Sequence, residues 1–230
     1  MASVKLSDMM KKRQLLSFEL FPPKTDRGMT NLSETIQQLC RYKPEYISVT
    51  YGAGGGNVGA NRQVCRMVRN AGAVPVTHFT VIRNTKQGIR EQLETYLKEG
   101  VDHILALRGD FPRGETTTGG DFNYATDLVK FIRDEFGEQF EIAVAGSPEG
   151  HISCRSLEAD IGVLKMKQDN GADYIMTQLC WDMEQFERWL DKIRRAGVPL
   201  PVDVGIMPIL DQAATINMAL SRNGCVMDRE

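Results

Sequence analysis

Apolar positions along this chain follow two alternating rhythms, and the clearest example lies near its middle. Ile89, Leu93, Tyr96 and Leu97 fall at i, i+4, i+7 and i+8, which makes one apolar stripe on an α-helix. Asn84 or Thr85 stands where an N-cap belongs, and Gly100 stands where such a helix ends. The next run, His103-Ile104-Leu105-Ala106-Leu107, has the length and apolarity of a buried strand. The same order of helix, glycine and short apolar run returns along the chain. Gly72 precedes Val74–Thr80, Gly137 precedes residues 141–145, Gly171 precedes 174–177, and Gly197 precedes Val202–Gly205. With residues 15–20 and 46–50, the pattern predicts seven strands, each followed by a helical segment.

Strands joined through helices run parallel, and right-handed crossovers throughout point to a β/α barrel or a doubly wound sheet. No Pro/Ser-rich linker or low-complexity tract divides the chain, so residues 1–230 are expected to form a single domain. A length of 230 residues is slightly short of the about 250 usual for one such barrel. The composition, 42% hydrophobic and 25% charged, is that of an ordinary water-facing protein with a sizeable core. A net charge of −2 gives no reason to expect nucleic acid or an anionic membrane as a partner. Residues 1–14 contain no signal-type apolar core, and no run approaches the roughly 20 apolar residues of a membrane span. The five cysteines are odd in number and lack C-x-x-C spacing. Neither a disulfide framework nor a metal site is therefore expected, and the expected location is the reducing cytoplasm.

Both parallel architectures place chemistry at the C-terminal ends of their strands. Polar groups gather at those ends: Glu19, Thr50-Tyr51, His78, Arg108-Gly109-Asp110, Ser147 to His151, Gln178, and Met207-Pro208. Gly54-x-Gly56-x-x-Gly59 matches the dinucleotide fingerprint in letters, yet no Asp or Glu occurs between Asn57 and Arg90 to take a ribose. It is read instead as a glycine loop that lets backbone approach a ligand. Glu19, held among apolar and aromatic neighbours, suits a general acid whose pKa is raised by desolvation. A structural carboxylate paired with a nearby cation fits the same pattern. Asp110 reads either as a site carboxylate or as a solvated turn. Of the three histidines, His103 begins a strand and belongs to the opposite, structural face, whereas His78 and His151 stand at the functional rim. Phe186 and Trp189 are expected in the core, and Trp181 is left open between packing and stacking. No lysine lies within a strand, which argues against a Schiff-base aldolase.

In order, Ser17-Phe18-Glu19-Leu20-Phe21-Pro22-Pro23-Lys24-Thr25, Ser48-Val49-Thr50-Tyr51-Gly52-Ala53-Gly54-Gly55 and Leu105-Ala106-Leu107-Arg108-Gly109-Asp110 resemble the methylenetetrahydrofolate reductase family, particularly its short bacterial enzymes. So do Pro148-Glu149-Gly150-His151, Leu164-Lys165-x-Lys167, Gly171-Ala172-Asp173, Thr177-Gln178 and Gly205-Ile206-Met207-Pro208. The resemblance implies a TIM-type (β/α)8 barrel holding FAD, reduced by NADH or NADPH, that converts 5,10-methylenetetrahydrofolate to 5-methyltetrahydrofolate. It implies Glu19 as the acid and Asp110 as the carboxylate near flavin and pterin. Thr50, Tyr51, His78, Arg108, Gly109, Asp110, Tyr124, Ala125, His151, Asp160 and Lys167 resemble FAD contacts, and Glu19, Asp110 and Gln178 resemble folate contacts.

Departures from the family pattern set further expectations. Ser147 stands where relatives carry an aromatic residue, and Cys180-Trp181 replaces an aromatic pair. Seven β/α units are readable and the eighth is missing, so the resemblance implies an incomplete barrel with a tail, residues 223–230, entering a helix. The competing reading is a non-catalytic flavin- or folate-binding subunit completed by a partner, and association of identical copies is left open.

Overall fold

The computed structural model describes residues 5–51, 58–111, 114–207, 209–213 and 215–216. After a short helix α1 (Leu6–Met10), strands and helices alternate: β1 (Ser17–Leu20), α2 (Asp26–Cys40), β2 (Tyr46–Val49), α3 (Val58–Asn70), β3 (Val74–Thr80) and α4 (Lys86–Lys98). They continue with β4 (His103–Leu107), α5 (Ala125–Phe136), β5 (Glu141–Gly146), α6 (Leu157–Asp169), β6 (Tyr174–Leu179), α7 (Met183–Arg195) and β7 (Val202–Gly205). The seven strands form one sheet in the order β1 to β7, every neighbouring pair parallel. Consecutive order with a helix after each of β1 to β6 is the arrangement of a TIM-type barrel, here six β/α units and a seventh strand; most of the helical segment expected after β7 lies outside the described residues.

Alternation along each strand separates two cores. Ile47, Val49, Phe79, Ile104, Ala106, Ile142, Val144 and Ile175 face the helices, where they meet Ile36, Val64, Ile89, Leu93, Leu128, Leu164 and Trp189. Tyr46, Val76, Leu105, Ala143 and Tyr174 face inward and pack on Leu6 of α1. Phe186 and Trp189 lie in the outer core, as their spacing predicted. The helix ends follow their signals: Thr85 Oγ1 accepts from Gly88 N at 3.0 Å, and Gly100 has φ +73°.

The strand limits differ from the pattern for local reasons. β1 starts at Ser17 rather than at residue 15 because Glu45 takes the backbone of Leu16, accepting from its N–H at 2.8 Å and donating to its carbonyl at 3.0 Å. β2 stops at Val49 because the carbonyls of Val49 and Thr50 are taken by Asn61 Nδ2, at 3.0 and 3.1 Å. β5 runs on to Gly146 and β6 to Leu179, so Gln178 is a strand residue; a register irregularity between Met176 and Leu179 lies there. Helix α1 carries no sequence signal strong enough to be predicted. Gly54, Gly56 and the tail at residues 223–230 lie outside the described residues.

Candidate active site

The first group on the rim is built by β1 to β3. Glu19 and His78 occupy inward positions near the C-terminal ends of β1 and β3; Ser48 of β2 pairs in register with Glu19 on one side and with Val76, two residues before His78, on the other. Glu19 Oε2 lies 3.6 Å from His78 Nε2; the Glu19 side chain is 45% exposed, that of His78 only 10%. Burial pushes the Glu19 carboxyl up and His78 down to about 4, so His78 is neutral at pH 7. Thr80 shares the inward face of β3. Its buried Oγ1, like His78 Nε2, has no hydrogen-bond partner among the described residues.

Across the rim, Arg108 stacks on the Phe111 ring at 4.5 Å, and its Nε donates to Gly109 O at 3.2 Å. Gly109 has φ +84°, and a Cβ there would approach Ile82 Cγ1 to 2.7 Å and Thr80 Cβ to 3.0 Å. Glycine is therefore required for the chain to turn from β4 into Asp110. The third group comes from β5 and α6. Lys167 reaches back from α6 to donate to Ala145 O at 2.8 Å, and burial lowers its pKa against the pull of Asp160. Asp160 Oδ2 accepts from His151 N at 3.2 Å. Burial, with Arg108 and Lys167, lowers the His151 pKa while Asp160 and Asp110 oppose them. His151 thus sits in the field of Arg108 and Asp110 from the segment after β4 and of Asp160 and Lys167 from α6.

Other expected residues stand differently. The Tyr51 side chain is 2% exposed behind the sheet, packed on Phe79 at 5.5 Å, with its hydroxyl donating to Gln92 at 2.6 Å. Tyr124 is exposed at the start of α5, where its N–H donates to Asp127 Oδ2 at 3.0 Å; Ala125 beside it is buried. Ser147 is buried after β5. Cys180 is buried after β6, donates to Asp182 O at 3.3 Å, and is raised to about 12 first by burial and then by Glu149. Trp181 Nε1 is a further buried donor without a partner among the described residues.

Residue spacing did not single out Thr80 or Asn61. Thr80 was within reach of parity, two residues beyond His78. Asn61 is fully buried and holds Thr77 Oγ1 at 2.9 Å and Tyr96 OH at 2.6 Å besides the end of β2. Its signal was a polar residue at i−3, i−4 and i−7 from Val64, Cys65 and Val68.

The consecutive parallel strands and a polar rim at their C-terminal ends define a β/α-barrel protein of the enzyme-bearing type. The comparisons then fix the family. The chain belongs to the methylenetetrahydrofolate reductase family, whose family model (Methylenetetrahydrofolate reductase) matches residues 5–223. It is 37% identical over 216 residues to Methylenetetrahydrofolate reductase (NADH) 1 of Arabidopsis thaliana, covering 88% of this chain and 36% of that protein. It is 35% identical over 195 residues to 5,10-methylenetetrahydrofolate reductase of Escherichia coli K12, covering 84% of this chain and 64% of that protein. The chain thus spans about a third of the plant relative's length and just under two thirds of the bacterial one's. Among solved structures, a Clostridium thermocellum protein described as binding two copies of 5-methyl-5,6,7,8-tetrahydrofolic acid superposes with a TM-score of 0.67. That likeness covers 97% of this chain and 76% of that one at 13% identity, and it speaks for the fold alone.

Proposed function

We propose that this barrel reduces 5,10-methylenetetrahydrofolate to 5-methyltetrahydrofolate, using FAD and hydride from a nicotinamide nucleotide. The observation that carries this reading is the position of Glu19, a half-exposed carboxyl with a burial-raised pKa at the mouth of a barrel of this family. The names of the plant relatives favour NADH over NADPH as the donor.

The chemistry of the rim fits FAD. The orphaned buried hydroxyl of Thr80 calls for a polar ligand, and among the described residues the half-buried Lys167 cation has the Ala145 carbonyl as its hydrogen-bond partner. Arg108 and Lys167 suit the pyrophosphate, whose charges want fixed cationic donors. His78, Thr50, Gly109 and Asp110 would line one side, and Tyr124, Ala125, His151 and Asp160 the other. Tyr51 would contribute backbone and support, since its ring is turned behind the sheet. When bound, the flavin supplies the redox step, passing hydride from nicotinamide to folate.

The protein's own chemical task is proton delivery. The five-membered ring of the folate must open before hydride can reach its methylene carbon, and a departing nitrogen then needs a proton. A positioned acid contributes about 10²–10⁴-fold to such a step. Glu19 supplies that proton, while Asp110 and Gln178 orient the pterin. Glu19→Gln is therefore expected to lower the folate half-reaction by about 10²-fold or more and to leave flavin reduction by NADH within a few-fold. Stopped-flow measurement of the two halves separates them; equal losses in both would return Glu19 to a structural role.

A further inference from the structure

The barrel mouth holds an unsatisfied pair. His78 Nε2 is buried and lacks a hydrogen-bond partner among the described residues, yet it points at Glu19 Oε2 across 3.6 Å. That distance is too long for a hydrogen bond and short enough for a modest side-chain rotation to close it. The two partners differ in freedom. His78 is packed on the inner face of β3, whereas the Glu19 side chain is half exposed and free to turn. A buried N–H without an acceptor is costly, and Glu19 is the one carboxylate within 4 Å of it among the described residues.

We infer that His78 is a positioning residue for Glu19, donating from Nε2 to its carboxylate so that the ionised form is stabilised and the carboxyl is held toward the mouth. This rests on the reading of Glu19 as the proton donor. The contact is that of a neutral donor rather than an ion pair, since His78 pushed down to about 4 is uncharged at working pH. The available acceptor selects the Nε2–H tautomer. Burial is the one resolved influence on either group. Ser48 on β2 and Leu105, opposite His78 on β4, carry no charge, and Arg108, Asp110, Asp160 and Lys167 act on His151 instead. Burial raises the Glu19 pKa, and a hydrogen bond to its carboxylate opposes that rise, which eases loss of the proton. After the proton leaves, the same bond steadies the charge left behind.

The test is the titration of the Glu19 carboxyl in FAD-loaded protein, read by infrared difference spectra with ¹³C-labelled glutamate and assigned by its loss in Glu19→Gln. His78→Phe keeps the ring volume and removes the donor, so the Glu19 band should titrate about one pH unit higher. The alkaline limb of the folate half-reaction should move with it. His78→Asn, whose amide is too short to span the gap, should titrate like His78→Phe and serves if the aromatic variant does not fold. His78→Gln carries an N–H of suitable reach and should restore the titration of the unaltered protein. An unmoved band in His78→Phe or His78→Asn overturns the inference, as does His78→Gln moving as far as they do. The acid reading fails separately, through equal loss of both half-reactions in Glu19→Gln, and the infrared titration still decides the His78 contact.

Discussion

Asn61 shows how one side chain shapes the rim without belonging to it. Both its polar ends are fully used: Nδ2 donates to the carbonyls that end β2, and Oδ1 accepts from Thr77 and Tyr96. The bonds fix where Thr50 leaves the sheet, and they keep two buried hydroxyls satisfied. Asn61→Ala removes the acceptor of the Tyr96 hydroxyl, one of the two acceptors of Thr77 Oγ1 and the side-chain donor to two carbonyls, and is expected to destabilise the protein by about 3 kcal/mol, read from urea midpoints. Asn61→Asp should also fail, because a carboxylate can accept from Thr77 and Tyr96 but cannot donate to Val49 and Thr50. A change under about 0.5 kcal/mol in both would show that water fills the role. Residues at or just past the C-terminal end of a strand, such as Glu19, His78 and Asp110, were legible in the chain because position along a strand implies a place on the rim. Asn61 and the contact between Glu149 and Cys180 were not, since they depend on which helix face meets which strand.

Helix α1 has only five residues and too few apolar positions to show a period, yet it closes the bottom of the barrel. Leu6 inserts among Tyr46, Val76, Leu105, Ala143 and Tyr174. The amides of Leu6 and Ser7 and the Ser7 hydroxyl donate to the Glu141 carboxylate at 2.7, 2.9 and 2.5 Å. His103 completes the knot, with Nε2 3.1 Å from Glu141 and Nδ1 2.7 Å from Asp102. Its structural role was legible because it opens a strand. The helix that it anchors was not, because the partners lie about 135 residues apart. Burial would lower the His103 pKa, but Asp102 and Glu141 outweigh it and raise it to about 9. Burial would raise Glu141, but the bonds from His103, Ser7 and Leu6 outweigh that and lower it. The signs give a window. The Glu141 contribution is present above its ordinary 4.5 and is lost as pH falls through the lower folded value. The His103 contribution is full below 6.5 and is lost as pH rises through about 9. Amide exchange at Leu6 and Ser7, corrected for intrinsic rates, should therefore be best protected between these limits. Glu141→Gln should raise it at least about tenfold there while β3 to β5 stay protected. Uniform protection from pH 4 to 9 would mean that apolar packing alone holds α1.

Across the molecule, seven strands pair in sequence, and β1 and β7 end the sheet among the described residues. The repeated helix–glycine–strand order made this architecture legible. How the two ends relate was not legible, because it depends on curvature. The structure answers with side chains: Asp203 of β7 accepts from Ser17 Oγ of β1 at 3.4 Å and from the Tyr46 hydroxyl of β2, joining both ends through the interior. Burial raises the Asp203 pKa, and the bonds from Tyr46 and Ser17 only partly offset it, so the fold disfavours its charge while using its oxygen. An acid with a raised folded pKa is most favourable when protonated, and at neutral pH its ionisation costs stability. Two variants separate the oxygen from the charge. Asp203→Asn keeps an acceptor for Tyr46 and removes the buried charge, and it should stay within about 1 kcal/mol of the unaltered protein at pH 7. Asp203→Ala leaves the Tyr46 hydroxyl unpaired inside the sheet and should lose about 1–3 kcal/mol. In that variant, amide exchange of β1 and β7 should quicken together while β3 to β5, paired on both sides, change little. Denaturant unfolding and exchange on the same samples test both parts. Equal stability for the two variants, or faster exchange spread over all seven strands, would show that Asp203 does not join the ends of the sheet.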